Sequence, residues 1–421
     1  MDINIVNFEI TKFSCYYYLD QFNEALKYGI EILTDDSVLS HTETVKISKI
    51  LYEDERTRMD KIVFVRISSI YANAVFSLDN KELGCKIFQN TIKYIKENDI
   101  AIEVTEYCKL LHNAINSQLQ SAQYENAIEW LGILNGLNNI PLKYQFIVEN
   151  RYGVTYIALG QFEEAYKHLN SSLTIASETM EDPYWTSTTH SDIALFYFYN
   201  WKKVGKDVAT EKIINEFKLA LNDYKLSIEQ NTSRDIEMSW HKAFIGILKK
   251  QYSSAIEQAD ICIDLSLKNN QLYELSRGYN LRALAEFYND DIIASQNSLE
   301  EGLHSCILYD FPSGIFRLYN NIGVIYFSKN DFVKAHYYFD LALNAIGAKI
   351  EYKQYPILIN LLLTSIMLNN KGLEDQIDHR IKNIPCNELF EYYKMIYINK
   401  QKLNQINSFS FWGINGANYI F

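Results

Sequence analysis

Three asparagines occupy one position of a repeating pattern: Asn113, Asn280 and Asn321 each lie 14 residues before a small residue, Ala127, Ala294 and Ala335 respectively. Arg151 takes the same place before Ala165, and His241 takes it before Ala255. Asn150 and Asn320 stand one position earlier. An asparagine amide offers both a donor and an acceptor, so amides stacked at a repeat spacing can hold the backbone of an extended peptide whatever its side chains. Trp240 and Tyr279, adjacent to His241 and Asn280, either add apolar contact to such a groove or seal neighbouring repeats together. The bland reading stands beside this one. Asparagine is abundant here, so three matches among seven marked copies also arise by chance; Arg151 can pair with Glu149 or Glu163 in a solvated network, and His241 can be a packed ring.

The elements that would carry these residues are helices. Only 5 prolines and 16 glycines occur in 421 residues, and 48% of the chain is of apolar type, enough for a large interior. Gly323, Tyr326, Phe332, Ala335, Phe339 and Ala342 set an offset pattern that Gly153, Tyr156, Gly160, Phe162 and Ala165 repeat, with a partial copy at Ala243, Tyr252, Ala255 and Ala259. The small residues sit where two helices approach closely, and the aromatics fill the wedge beside them. Markers fall at Ala25, Gly84, Ala127, Ala165, Ala255, Ala294 and Ala335, with spacings of 38, 39 and 41 residues between 127 and 165, 255 and 294, and 294 and 335. The gap between Ala165 and Ala255 has room for two pairs, so helices are expected across Ser191 to Tyr199 and Glu211 to Tyr224. The gap after Ala25 is long for one pair, and the charged segment Tyr52 to Lys61 is expected to extend its next helix. A last pair is expected over Ile357 to Leu368 and Leu373 to Ile384, which makes about nine pairs. One pair cannot bury its apolar side alone, so the pairs must stack.

The copy written by Tyr319, Ile322, Gly323, Tyr326, Asn330, Phe332, Ala335, Phe339 and Ala342 resembles a tetratricopeptide repeat, and the resemblance extends over residues 10 to 385. The period departs from the family: units run nearer 40 residues than the family's roughly 34. Longer helices of that kind resemble the solenoids of bacterial peptide sensors and signalling regulators. The resemblance implies an all-α, right-handed superhelical solenoid over residues 1–386, in which the first helix of each pair lines a concave groove and inner-face asparagines hold a peptide. Residues 387–421, a helix followed by the aromatic stretch FSFWGINGANYIF, are expected to cap the last repeat or dock a partner.

The function these readings imply is a regulatory or sensor scaffold that binds a peptide or protein segment in the groove. Two further functions stay open: a structural subunit that joins a larger assembly or a second copy through the C-terminal tail, and a peptide-controlled, phosphatase-like regulator of a response regulator. Enzymatic chemistry has no motif. Gly-rich phosphate loops and Gly-x-Ser-x-Gly are absent, and the eight histidines include no H-E-x-x-H, so no cofactor, metal or catalytic residue is expected. A net charge of -12 with no basic stripe, and repeat-like signal from Phe13 onward, argue against direct DNA binding. The six cysteines are scattered singly and read as reduced thiols. With no basic-then-apolar start, and an apolar stretch at Tyr355 to Leu368 interrupted by Asn360, a cytoplasmic protein with no membrane association is expected.

Overall fold

The computed structural model describes residues 3–34, 39–78, 80–121, 123–228, 230–269, 271–309, 311–346 and 355–383. The described residues divide into two units, the first ending at Val148 and the second beginning at Glu149. The first contains α1 (Ile3–Tyr18), α2 (Phe22–Thr34), α3 (His41–Glu53), a 3-10 turn (Glu55–Met59), α4 (Lys61–Ser77), α5 (Lys81–Glu97), α6 (Val104–Gln120), α7 (Tyr124–Asn135) and the start of α8 (Leu142–Leu159). The second continues with α9 (Phe162–Thr179), α10 (Tyr184–Tyr199), the short α11 (Trp201–Val204), α12 (Lys206–Leu226), α13 (Thr232–Leu248), α14 (Tyr252–Lys268), α15 (Leu272–Tyr288), α16 (Ile292–Leu308), α17 (Pro312–Ser328), α18 (Phe332–Ile346), α19 (Tyr355–Met367) and α20 (Lys371–Asn383). No strand occurs among the described residues. The chain is an all-α, multi-helix solenoid of consecutive antiparallel pairs.

Several pairs close through one device. At the end of α17, Asp331 N–H reaches Tyr326 O and Asn330 N–H reaches Phe327 O, with Asn330 at φ 60°. The same two bonds recur after α15 (Asp291 to Glu286, Asp290 to Phe287) and after α19 (Asn370 to Ser365, Asn369 to Ile366). This is a helix stop with one left-handed residue, which asparagine and aspartate tolerate better than branched residues. The next residue then starts the second helix: the Asp331 carboxylate accepts from Lys334 N–H at 3.1 Å, and Asp291 accepts from Ala294 N–H at 3.0 Å. The chain thus reverses within two residues, and the helices are forced side by side.

Close approach is what the glycines serve. A methyl group on Gly323 would lie 2.6 Å from the Phe339 ring, and one on Gly153 would lie 2.6 Å from Leu169. Ala165, Ala255 and Ala335 are fully buried, and a methyl group on Gly246 would lie 3.0 Å from the Ala255 Cβ. The helices expected between Ala165 and Ala255 are α10 and α12, and the expected last pair is α19 and α20. One expectation fails: Tyr52 to Lys61 does not extend a helix. Asp54 caps the 3-10 turn by accepting from Arg56 N–H at 2.9 Å, and Asp60 caps α4 by accepting from Ile62 and Val63 N–H, so the segment breaks into a corner and α3 is an additional helix. The apolar α19 is buried from Ile357 to Thr364, and among the described residues no helix is long and apolar enough to cross a membrane. The expected capping or docking tail, 387–421, lies outside the described residues.

Candidate functional site: the polar seam of the second unit

In the second unit the first helices of successive pairs contact one another, α13 with α15, α15 with α17 and α17 with α19. Their shared seam is polar. Asn360 Nδ2 donates to Asn320 Oδ1 at 2.9 Å, Asn320 Nδ2 to Asn321 Oδ1 at 3.2 Å, Asn321 Nδ2 to Asn280 Oδ1 at 2.7 Å, and Asn280 Nδ2 to Ser276 O at 2.8 Å. All four asparagines are buried. The amides therefore form a hydrogen-bonded thread across α15, α17 and α19, each acting as donor to one neighbour and, from Asn320 to Asn280, as acceptor from the other. The sequence-derived positions Asn280, Asn320 and Asn321 are brought together; Asn360 joins them as a residue that reading had not placed in the set.

A second thread is ionic. Arg234 on α13 pairs with Glu237 and donates through Nη2 to Ser187 Oγ at 2.9 Å and Ser191 Oγ at 3.2 Å on α10. Arg277 on α15 grips both oxygens of Glu274, at 3.0 and 2.8 Å, and lies 4.5 Å over the Trp240 ring. Arg317 on α17 stacks against Tyr273 and Phe316, with its guanidinium 5.4 and 5.3 Å from their ring centres. The three guanidinium-bearing side chains are buried, at 5%, 7% and 6% exposure. Among the described residues, Arg317 alone of the three has no carboxylate within salt-bridge distance, and its Nε and Nη1 have no hydrogen-bond partner.

Burial pushes the Glu237 carboxyl up, but the attraction and hydrogen bond of Arg234, with the charge of Arg277, outweigh it and hold the group well below the usual carboxylate range. His241, which stacks on Phe217 with ring centres 4.2 Å apart, is driven the other way: burial lowers its pKa to about 3 despite Glu237 at 3.6 Å, so the ring is neutral at physiological pH. Burial also raises the Glu274 carboxyl, against the pull of Arg277 and Arg317.

Trp240 is fully buried and stacks on Phe244, with ring centres 5.2 Å apart, so it belongs to the main apolar core. Tyr279 is 8% exposed and packs with Ile263 and Leu275; a methyl group on Gly302 would lie 2.8 Å from its Cβ. At the start of the unit, Asn150 Nδ2 donates to Asp192 Oδ2 at 2.8 Å and its Oδ1 accepts from Arg151 Nη1 at 3.2 Å. Burial lifts the Asp192 carboxyl to about 6, although Arg151 and Asn150 oppose the shift. Arg151 thus faces Asn150 and Asp192, while Glu149 accepts from His168 at 2.8 Å. Asn113 is half-buried on α6 of the first unit.

Arg234, Glu237, Glu274, Arg277 and Arg317 are the seam residues that the sequence reading missed. The signal was present at the repeat spacing: Arg277 and Arg317 are 40 residues apart, as are Asn320 and Asn360. Among the described residues no group of histidine, cysteine, aspartate or glutamate is arranged to hold a metal ion.

The fold is that of a helical-repeat protein with a tetratricopeptide-like arrangement of helical pairs. Among solved structures the chain is similar to a Rap protein complexed with competence and sporulation factor, with TM-score 0.55 and 11% identity over 84% of this chain and 97% of that one. It is also similar to aspartyl phosphate phosphatase F from Bacillus subtilis, with TM-score 0.52 and 13% identity over 83% of this chain and 95% of that one. At these identities the likeness is one of fold. No protein-family model matches the chain. No curated protein sequence matches it either.

Proposed function

We propose that this protein is a regulatory scaffold that binds a peptide or protein segment along the first-helix seam of its second unit, and that it acts by binding, not by catalysis. The observation that carries the reading is the concentration of buried hydrogen-bonding and charged side chains on α13, α15, α17 and α19, where an ordinary helix-to-helix contact would be apolar. Burying such groups costs free energy unless they are paired, and apolar replacements of similar volume often serve stability as well or better. A ligand backbone supplies the same donors and acceptors that the asparagines now supply to one another, so it can exchange into the thread bond for bond. The fold likeness to a Rap protein, which is itself seen in complex with competence and sporulation factor, is in keeping with a binding role. Binding would then shift the packing of neighbouring first helices, and it does so only as far as the ligand prefers one packing to the other.

The test is retention of a synthetic random-sequence peptide pool on the immobilised full chain, read by mass spectrometry. Asn280→Ala and Asn321→Ala, checked for retained helicity by circular dichroism, should lose most of the retained peptides. Retention equal to wild type in both variants refutes the seam as the binding site.

A further inference from the structure

The outer side of α12 carries apolar residues in register. Ala209, Ile213, Phe217, Ala220 and Tyr224 are buried against the unit, whereas Val208, Leu219 and Leu226 are 49%, 42% and 71% exposed. Leu219 and Leu226 follow Val208 by 11 and 18 residues, which at 3.6 residues per turn returns each to within about 20° of one line. Lys212, Asn215 and Asn222 are exposed between them, so the strip steps by four and three residues in turn from Val208 to Leu226. That is the seam spacing of two helices wound together. Three of its six positions are apolar and none is acidic, in a chain of net charge -12. Ile228, just past the helix end at Leu226, is 90% exposed. Apolar residues scattered singly over a surface call for no partner, but a line of them in seam register does.

We infer that α12 is a homodimer interface, in which two copies of this chain pack α12 against α12, antiparallel, about a two-fold axis near Phe217. The strip fits its own reverse. Positions equally far from Phe217 meet across such an axis, so Val208 faces Leu226 of the second copy, Leu219 faces Asn215, and Lys212 faces Asn222. The flanking charges match as well. Lys212 and Asp223 share the flank next to α10, with the Lys212 ammonium 5.9 Å from the Tyr197 ring and the Asp223 carboxylate 3.9 Å from His190, and the axis brings Lys212 of one copy to Asp223 of the other. On the opposite flank Glu211 meets Lys225 of the second copy, and each of these pairs forms twice. Glu216, nearest the axis beside α10, is drawn to its own molecule by the 2.7 Å contact with His190. Lys218, which meets its own copy, is exposed and has a stem long enough to turn its charge to solvent. A parallel pairing would instead set Lys212 against Lys212 inside the seam. An unrelated partner has no need of this reverse symmetry, and a second copy does. One helix pair, about 31 Å long, is small beside stable interfaces, so a reversible dimer with Kd on the order of 10 µM is expected. The inference does not depend on the binding reading above, because α12 carries none of the seam residues.

The experiment is sedimentation velocity of the full chain over a concentration range spanning about 10 µM by a decade or more on either side. Wild type should pass from monomer to dimer across it. Leu219→Glu and Leu226→Glu, both at exposed positions that the fold does not need, should each weaken association by about 10-fold or more, since each sets a carboxylate against an apolar seam. Glu211→Lys and Lys225→Glu, taken singly, should weaken it by roughly three- to tenfold. Mixing those two variants, or combining both substitutions in one chain, should restore the wild-type association, because opposite charges then face each other again across the axis. A chain that stays monomeric at every concentration overturns the inference. So does a dimer that Leu219→Glu and Leu226→Glu leave unchanged, which would be built on another surface. A dimer that those two weaken but that the mixed charge variants fail to recover overturns the antiparallel pairing, and the inference with it.

Discussion

Replacing Asn321 by alanine removes the middle of the amide thread, and the structure says what is left behind. Asn280 Oδ1, on a residue with no exposed surface, loses the donor at 2.7 Å, and Asn320 Nδ2, on a residue 1% exposed, loses the acceptor at 3.2 Å. Each buried group left unsatisfied costs about 1–3 kcal/mol, so the two together should lower local stability by roughly 2–6 kcal/mol. Asn280→Ala alone removes the acceptor and strands the Asn321 amide instead. In the double variant the Asn280–Asn321 pair is gone from both sides, only Asn320 Nδ2 is stranded, and the cost should fall short of the sum of the singles by the cost of two stranded groups, about 2–6 kcal/mol. Because each pair in a stack of repeats depends on its immediate neighbours, the suitable assay is native-state hydrogen exchange resolved to α15, α17 and α19, with a urea titration at constant slope as a check. A single-variant cost under about 0.5 kcal/mol with no coupling would mean that these amides face water and not one another, and the argument from a closed, exchangeable thread would fail.

Gly323→Ala places a methyl group 2.6 Å from the Phe339 ring and should cost about 1–3 kcal/mol by urea denaturation, with much of the loss recovered when Phe339→Leu is added. Asp192, raised to about 6 by burial against the pull of Arg151 and Asn150, binds its proton more readily folded than unfolded; its carboxyl therefore favours folding below the unfolded pKa near 3.8 and loses that contribution as pH rises through 6. Asp192→Asn should accordingly gain stability relative to wild type at pH 7–8 and show no gain near pH 3, and an unchanged difference across that range refutes the buried-carboxyl reading. His241, lowered to about 3, has the opposite sense: its neutral form supports the fold above 6.5, and stability is lost as pH falls from 6.5 toward 3. His241→Phe should flatten that part of the acid titration, measured by the urea midpoint.

The pairing of helices was legible because it is written in steric terms that survive without coordinates. Gly323 and Gly153 lie where only a hydrogen fits, and Asn330 and Asp331 carry a left-handed stop followed by a helix start. The segment Tyr52 to Lys61 was misjudged for a comparable reason. Its charges suit an exposed helix, but Asp54 and Asp60 act as caps, and whether an aspartate caps or merely decorates a helix depends on the backbone it meets. The seam was legible only in part. Counting back from the small markers put Asn280 and Asn321 in register, and they do touch; the same counting could not reach Asn360, because α19 belongs to a pair with weak markers. Nor did it reach Arg234, Arg277 and Arg317, which stand 21, 17 and 18 residues before Ala255, Ala294 and Ala335 and so lie off the asparagine register. Which side of a helix a charged residue faces, and whether its neighbour neutralises it, are properties of three-dimensional packing.

Glu274 and Arg317 make opposite predictions although each belongs to the same thread. Glu274→Gln takes the carboxylate from between two buried guanidinium groups, so that Arg277 loses bonds of 2.8 and 3.0 Å to a charged acceptor and Arg317 loses the nearby negative field that partly offsets its charge. Stranding a buried charge in this way typically costs about 3–5 kcal/mol, and the loss should be concentrated in the exchange rates of α15 and α17. Arg317→Met removes a charge that has no carboxylate of its own, keeps the apolar contact with Tyr273 and Phe316, and should cost nothing or stabilise. If the seam were an ordinary network balanced within the chain, both substitutions would destabilise by similar amounts. The asymmetry between them, measurable without any ligand, is what a buried guanidinium with no carboxylate of its own requires.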